Sequence, residues 1–215
     1  MLAYTSIIGE EVTPKVSIDE IRENTEKNPV RCPHEKTADR MIKLIEDVKT
    51  SGDSVGGAVD CISIGLPPGV SQPIFDTLEG DISKAIFAIP AVKAIEFGVG
   101  TKYAYMRGSE SNDQYSIKKN KVFTNSNNAG GILGGISDGM PINLRATFKP
   151  TPSINKAQFT VNLQRMEEAE IKITGRHDPC IIPRAVPVIE ATVASVLVDH
   201  LIRFGLISQT LENEP

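Results

Sequence analysis

Residues 124–140 read TNSNNAGGILGGISDGM and carry two glycine pairs, separated by two residues, directly after a run of amide side chains. Five glycines in this stretch cannot be there for packing area, because glycine has no side chain to bury and loses much backbone entropy on folding. Two interpretations stay open from the residues alone. Either the glycines let the chain turn through positive φ, or they let backbone N–H groups approach a bound group closely.

The composition around this stretch is that of an ordinary globular protein. The chain has 215 residues, of which 40% are hydrophobic and 23% charged, and this suits one large domain or two small ones with a real core. A formal net charge of −4 argues against a general nucleic-acid-binding surface. A small anionic ligand is compatible with this charge, because it needs only local positive charge.

The cysteines and histidines do not predict a metal site. The cysteines are odd in number and scattered along the chain, as is typical of reduced thiols in the cytosol. No two of them have the spacing of zinc ligands, and the histidines do not cluster with them. These residues are Cys32, Cys61, Cys180, His34, His177 and His200.

We expect a cytoplasmic protein without a membrane segment. Residues 1–10 show neither the basic region nor the apolar region of a signal peptide. The longest apolar run, residues 186–198, is interrupted by Pro187 and Glu190 and is too short to cross a bilayer.

Four helices are predicted from caps and from apolar residues spaced by three and four. The first has a capping-box pattern, Ser17 with Glu20, and begins at Ile18. The other three are expected from Pro33 to Gly52, over residues 73–88, and from about Pro187 to Arg203 with Gly205 as the stop.

Extended segments alternate with these helices. Strands are expected over residues 55–65, 143–149, 158–163 and 169–174, and strand or extended chain over residues 91–100 and 101–108. Residues 108–121 are expected to form a mobile loop. No strand-to-helix turn has the G-x-G-x-x-G pattern, so a dinucleotide-binding Rossmann domain is not predicted.

KPTPS (149–153) places an ammonium group beside two hydroxyls, with prolines restricting the path of the chain. This combination suits a phosphate or sulfate, because lysine supplies charge and Thr151 and Ser153 supply donors. A plain turn at the end of a strand explains the same residues equally well.

GRHDPC (175–180) combines a guanidinium, an imidazole, a carboxylate and a rigid proline in four consecutive residues. Arginine favours bidentate contact with phosphate, so Arg176 is a candidate anion ligand. The alternative is an Arg–Asp pair that holds a strand-to-helix corner. His177 alone is a weak indication of catalysis, and His200 is expected to be a core residue of the terminal helix.

Six stretches, taken together and in order, closely resemble the C-terminal part of chorismate synthase. The similarity extends from around Thr5 to Arg203, and six ordered motifs are far more specific than any single one. The stretches are SGDSVGG (51–57), GLPPGVSQPIFDTLEGDISKAIFAIPAVKAIEFG (65–98), GSESND (108–113), AGGILGGISDGMPI (129–142), KPTPSI (149–154) and GRHDPCIIPRAVPVIEA (175–191).

The resemblance implies a fold and a reaction. It implies an α+β fold, a β-α-β sandwich of antiparallel sheets with helices between them, in which residues 1–215 are the C-terminal portion of a single domain. The family converts 5-enolpyruvylshikimate 3-phosphate to chorismate by a 1,4-anti elimination of phosphate, as a homotetramer. This is the last step of the shikimate pathway, which leads to the aromatic amino acids, and the lyase reaction requires reduced FMN although it is redox-neutral overall.

The resemblance also implies which residues form the site. The positions that match flavin contacts in the family are Gly134, Lys149, Pro150, Thr151, Pro152, Ser153 and Arg176. Asp178 matches a carboxylate that lies near the flavin and is assigned to proton handling. The second glycine pair would then let the backbone come close to the flavin.

One departure from the family is large. The family carries a Ser-His-Gly motif, an Arg-Arg-Pro-Gly stretch, a second active-site histidine and an Arg-Ser-Ser-Ala-Arg-Glu-type helix, and none of these occurs in this sequence. A separate N-terminal segment is therefore an expected partner of a catalytic chain. The alternatives are a non-catalytic flavin-binding remnant and a protein that assembles with a complete synthase subunit.

Overall fold

The computed structural model describes residues 1–208 and mixes helices with antiparallel strands, which is the α+β class that the sequence predicts. The helices are α1 (Ile18–Asn24), α2 (Glu35–Thr50), α3 (Leu78–Phe87), α4 (Gly108–Ser111) and α5 (Ile182–Arg203). The strands are β1 (Leu2–Ile8), β2 (Glu11–Val12), β3 (Gly57–Ser63), β4 (Val92–Phe97), β5 (Tyr115–Lys118), β6 (Lys121–Thr124), β7 (Ile132–Leu133), β8 (Ile136–Ser137), β9 (Ile142–Phe148), β10 (Gln158–Asn162) and β11 (Glu167–Ile171).

The chain forms two compact units, each made of separate segments. Unit 1 contains Met1–Ala3, Val59–Ala146 and the segment from Val186 onward, and unit 2 contains Tyr4–Ala58 and Thr147–Ala185. The expectation of a single domain over residues 1–215 stays a prediction.

In the main sheet, buried and accessible positions alternate strictly along β9. In unit 1 the strands β3, β9 and β4 are neighbours in that order, and in unit 2 the order is β2, β1, β3. Every second residue of β9, from Ile142 to Phe148, is buried, because successive side chains of a strand point to opposite faces. β2 pairs antiparallel with β1, with Ile7 opposite Val12.

The glycine pair Gly134-Gly135 forms the two-residue turn of a hairpin. β7 and β8 pair antiparallel with Leu133 opposite Ile136, and both glycines have positive φ, 60° and 83°. A two-residue turn with positive φ at both central positions is the type I′ turn, which fits the right-handed twist of the strands. Positive φ is thus one real requirement for glycine in this stretch.

Residues 108–121 are ordered, and the expectation of a mobile loop was wrong. Residues 108–111 form α4, and β5 and β6 form a hairpin in which Lys118 lies opposite Lys121. The turn residues Lys119 and Asn120 have φ of 49° and 58°, another type I′ turn in which asparagine is a favoured residue. The lysines at this hairpin turn were interpreted as residues of a solvent-exposed loop.

The predicted start of α1 and the predicted end of α2 are confirmed. Ser17 Oγ accepts from Glu20 N at 3.2 Å, and Glu20 Oε2 accepts from Ser17 N at 2.7 Å, so the capping box closes. α2 ends at Thr50, and Gly52 follows with φ of 71°, a common way to end a helix.

Two other predicted boundaries were wrong. α3 begins at Leu78 rather than at residue 73, because Phe75 has φ of 67° and Thr77 is extended and caps Gly80 N at 3.0 Å. Gly100–Tyr105 is a 3-10 helix rather than a strand. Its first turn is held by Glu96, whose Oε1 accepts from Thr101 N at 3.0 Å.

α5 is a long apolar helix whose buried residues form one stripe. It begins at Ile182, five residues before the expected Pro187, and its length and mean hydropathy of 1.6 would also suit a membrane-crossing helix. Buried positions recur every three or four residues, which is the pattern of a helix packed in a protein core. They are Ile182, Ala185, Val186, Ile189, Val193, Leu197 and His200.

Candidate functional site

In unit 2, KPTPS follows directly after the end of β9. The SGDSVGG segment lies next to KPTPS and holds it in place. Ser54 Oγ donates to Thr151 O at 2.6 Å, and Asn155 N donates to Gly52 O at 2.9 Å. Lys156 Nζ lies 2.6 Å from Asp53 Oδ2, and this hydrogen bond is the largest cause of a lowered pKa of the Asp53 carboxyl. The SGDSVGG motif therefore serves as the support of KPTPS.

Glycine is required in that support by close backbone approach. A Cβ at Gly56 would lie 2.6 Å from Phe148 O and 3.0 Å from Pro150 Cδ, which is closer than real Cβ contacts. A Cβ at Gly57 would lie 2.0 Å from Ile7 O. Both positions lack room for any side chain, so Gly56 and Gly57 are required for packing within unit 2.

Ser153 and Arg176 line the same cleft in unit 2, which has a volume of about 220 Å³. Lys49 also lines it, so two cations and a hydroxyl face one opening. Ammonium and guanidinium groups beside a hydroxyl suit an anionic group such as a phosphate. The complete lining is Lys49, Gly52, Asp53, Ser153, Ile154, Asn155, Gly175, Arg176, His177 and Pro179.

The other predicted residues of unit 2 lie near this cleft in sequence but do not line it. Lys149, Pro150 and Pro152 are exposed, and Thr151 is half-buried. Asp178 forms an ion pair with Arg184 of α5. An Arg–Asp pair at this corner is thus present, but the arginine is Arg184 and not Arg176.

Gly134 belongs to unit 1 and lies at the mouth of a different cavity, of about 560 Å³. A Cβ added there would meet no atom within 4 Å, so the backbone faces open space. The other three glycines of the two pairs are enclosed. The added Cβ would lie 2.3 Å from Gly98 N at Gly130, 2.6 Å from Pro141 O at Gly131, and 2.5 Å from Thr77 Cγ2 at Gly135.

The cavity beside Gly134 contains three titratable side chains. Burial raises the pKa of Glu79. Burial and the nearby charges of Asp113 and Glu79 raise the pKa of Tyr103, so its phenol stays a hydrogen-bond donor at neutral pH. The hydrogen bond from Thr101 N lowers the pKa of Glu96.

A polar pair inside the main sheet was missed from the sequence. Arg145 of β9 donates to both oxygens of Asp60 of β3, at 2.6 and 2.8 Å, a bidentate geometry with added directional strength. Both residues occupy accessible positions of otherwise buried strands. Opposite charges on two strands rich in apolar residues are the signal that could have identified the pair.

His200 is a core residue, as expected. Its side chain is 1% exposed, and its Nε2 lies 3.0 Å from Asp81 Oδ2, at an angle that does not make a hydrogen bond. Among residues 1–208, no group of three or more His, Cys, Asp or Glu side chains could hold a metal ion.

Comparison with known proteins is consistent across sequence and structure. The sequence profile of the family described as chorismate synthase matches residues 1–202. Chorismate synthase of Dehalococcoides mccartyi is 47% identical over 212 residues, which are 99% of this chain and 58% of the relative. That of Methanosarcina barkeri is 52% identical over 193 residues, which are 90% of this chain and 53% of the relative.

The fold agrees with that comparison. A crystal structure of chorismate synthase superposes with a TM-score of 0.77 at 27% sequence identity, over 94% of this chain and 56% of the other. The chain therefore spans a little over half the length of the relatives it matches. Because the profile covers nearly every residue, the chain belongs to the chorismate synthase family.

Proposed function

We propose that this chain takes part in the chorismate synthase reaction, the conversion of 5-enolpyruvylshikimate 3-phosphate to chorismate and phosphate by 1,4-anti elimination. The observation that carries the proposal is the family match over residues 1–202. The activity would make the protein a carbon–oxygen lyase of the shikimate pathway and of aromatic amino acid biosynthesis.

The residues fit reduced FMN, the cofactor that the reaction requires. Gly134 presents bare backbone to a cavity of about 560 Å³, and a side chain at this position would occupy that space. Ser153 and Arg176 line a cleft with Lys49, where two cations and a hydroxyl suit an anionic group. When bound, reduced FMN supplies an electron transiently, which weakens the C–O bond to the leaving phosphate.

The chain's own residues would bind and orient the anionic groups. Arg176 donates charge-assisted hydrogen bonds, and Ser153 adds a neutral donor. The segment that begins with the Lys149–Ser153 run is held by Ser54, which donates to Thr151 O, and by Gly52, whose carbonyl accepts from Asn155 N, so its path is set before a ligand arrives. Such preorganisation lowers the entropy lost on binding.

Asp178 is the proposed proton-handling group near the flavin. Its ion pair with Arg184 holds the carboxylate in one orientation at the start of α5. An ionised carboxylate can accept a proton from a neighbouring group and return it, which is the role that the resemblance assigns to it.

The remaining parts of the proposal concern the surroundings of the site. We expect a cytoplasmic protein that assembles as a homotetramer and uses a separate N-terminal segment if its own chain does not supply one. No contact with nucleic acid or membrane is proposed.

A second candidate function is flavin binding without catalysis, either as a remnant or as a partner of a complete synthase subunit. The observations that favour it are the cavity that Gly134 faces and the cleft that Ser153 and Arg176 line, which concern binding alone. The two candidates differ in turnover and agree in flavin binding.

Flavin titration of Arg176→Ala, followed by fluorescence, tests the site. We expect FMN affinity to fall by roughly 1.5–3 kcal/mol, the range for a lost hydrogen bond to a charged group. Arg165→Ala is the matched control, since Arg165 is an exposed arginine of the same unit that pairs with Glu167 at 3.5 Å. Equal affinity in both variants would remove Arg176 from the site. Chorismate formation by the wild type, with the unmatched part of the Methanosarcina barkeri relative supplied, separates the two candidate functions.

A further inference from the structure

The GSESND motif (108–113) contributes none of the proposed flavin contacts described above. Its last residue, Asp113, accepts hydrogen bonds from the start of the glycine-rich stretch. Asp113 Oδ1 accepts from Asn128 N at 2.8 Å and from Ser126 Oγ at 2.5 Å. Asp113 Oδ2 accepts from Ala129 N at 2.8 Å. One carboxylate thus satisfies three donors of a four-residue segment.

The rest of the motif holds the same segment from a second direction. Asn128 Nδ2 donates to Ser111 O at 3.1 Å, and α4, which supplies that carbonyl, is capped by Glu110 Oε2 accepting from Arg107 N at 2.9 Å. Asn128 is therefore fixed through its main chain and its side chain together.

The last residue of this segment, Ala129, is part of the wall of the cavity that Gly134 faces. Ala129 lines this cavity and also a second one of about 410 Å³ that contains Asp113. Tyr103 and Leu133 line both cavities as well. A shift of Ala129 would change the shape of the space beside Gly134.

The ionised form of Asp113 is the one that this arrangement favours. Burial opposes ionisation of the carboxyl, but the hydrogen bonds from Ala129, Ser126 and Asn128 outweigh it and lower the pKa. A carboxylate that accepts several backbone N–H bonds is stabilised in its charged form.

We propose that Asp113 is a positioning residue for flavin binding, which acts by holding residues 126–129 and thereby fixing Ala129 in the wall of the Gly134 cavity. The proposal rests on the proposed function, since it takes reduced FMN as the ligand of that cavity. Asp113 itself need not contact the ligand.

The test is Asp113→Asn, which keeps the volume of the side chain but removes the charge and one acceptor. In the protein as it occurs, we expect amide hydrogen exchange at Asn128 and Ala129 to speed up at least about tenfold, and the Kd for FMN to rise about tenfold. With the unmatched part of a relative supplied, turnover at saturating FMN should stay within about twofold, because a positioning residue changes KM for the flavin and leaves kcat.

Two further variants keep the result interpretable. Asp199→Asn is the matched control, because Asp199 is an exposed carboxylate of the same unit with an arginine partner, Arg203, at 2.8 Å. It should change neither quantity. Ser126→Ala leaves the charge and removes one donor, so it should shift exchange and affinity in the same direction by about two- to fivefold, even if Asp113→Asn does not fold.

Each other outcome overturns a definite part of the proposal. Unchanged exchange would mean that Asp113 does not hold the segment. Faster exchange with unchanged FMN affinity would mean that the segment is not a wall of the flavin site, and a large fall of kcat would mean a direct role in the reaction. Wild-type protein that binds no FMN would overturn the proposed function itself, which the exchange measurement does not depend on.

Discussion

At the scale of single residues, a proline in α5 explains an arginine contact in unit 2. Pro187 has no N–H, so the carbonyl of Pro183, four residues earlier, lacks its helical donor. Arg31 Nη1 donates to that carbonyl at 2.7 Å. Arg31 also pairs with Glu26 at 3.0 Å, but Glu26 is 73% exposed, and exposed pairs are worth little.

Arg31→Ala is therefore expected to destabilise the protein by about 1–3 kcal/mol, the cost of leaving a carbonyl unsatisfied. Glu26→Ala should cost less than about 1 kcal/mol. Chemical denaturation measures both. In a Pro187→Ala background the helix can supply its own donor, so the cost of Arg31→Ala should fall; equal costs in both backgrounds would contradict this account.

Gly134→Asn separates backbone strain from occupied space. Asn-Gly is a favoured pair in a type I′ turn, so the β7–β8 hairpin should form and circular dichroism should be unchanged. The new side chain would enter the cavity that Gly134 leaves open. We expect FMN affinity to fall at least about tenfold, because the side chain would take up space that the ligand needs.

The matched control for this variant is Gly205→Asn, because Gly205 has φ of 69° and open space around it but lies outside the cavity. It should leave FMN affinity intact. If both variants bind FMN as the wild type does, Gly134 serves the turn alone and the flavin assignment is lost.

At the scale of elements, two motifs that are 100 residues apart support each other in unit 2. Gly56 has an ordinary φ, so Gly56→Ala adds only a Cβ, 2.6 Å from Phe148 O. Overpacking of this kind costs typically ~1–3 kcal/mol. Gly108→Ala, also with ordinary φ but with nothing within 4 Å, should be neutral or stabilising by about 0.4–1 kcal/mol. Thermal unfolding of the two variants measures the difference, and equal Tm values would show that the two motifs do not need this close approach.

Elements with strong local signals could be predicted, and those set by distant contacts could not. The Ser17–Glu20 capping box located α1 because it is complete within four residues. The start of α3 was missed because Phe75 has a positive φ. The residue type, phenylalanine, does not indicate such a backbone conformation. The 3-10 helix from Gly100 depends on a carboxylate from β4, which a propensity argument does not see.

At the scale of the whole molecule, the site residues came from the resemblance, and their environment came from the fold. The sequence alone does not distinguish Gly134, which faces open space, from Gly135, which is enclosed by Thr77. Lys49 could not be predicted as a cleft residue, because its place beside Arg176 depends on how α2 packs within unit 2. The alternatives left open by the residues were therefore separable only in three dimensions.

The last prediction concerns which parts of the family's length the reaction needs. The resemblance places two proton-donating histidines and an arginine-rich substrate clamp in the part of the relatives that this sequence does not match. General acid catalysis contributes typically ~10²–10⁴-fold, and each lost cation removes stabilisation where the phosphate leaves. We expect the 215-residue sequence, expressed by itself, to form no detectable chorismate anaerobically with substrate and reduced FMN.

The same reasoning predicts rescue. The unmatched part of the Methanosarcina barkeri relative, added in trans or fused, should restore chorismate formation, while the matched part of that relative should not. Robust turnover by the 215 residues alone would contradict the prediction, because it would place every group that the elimination needs within this sequence.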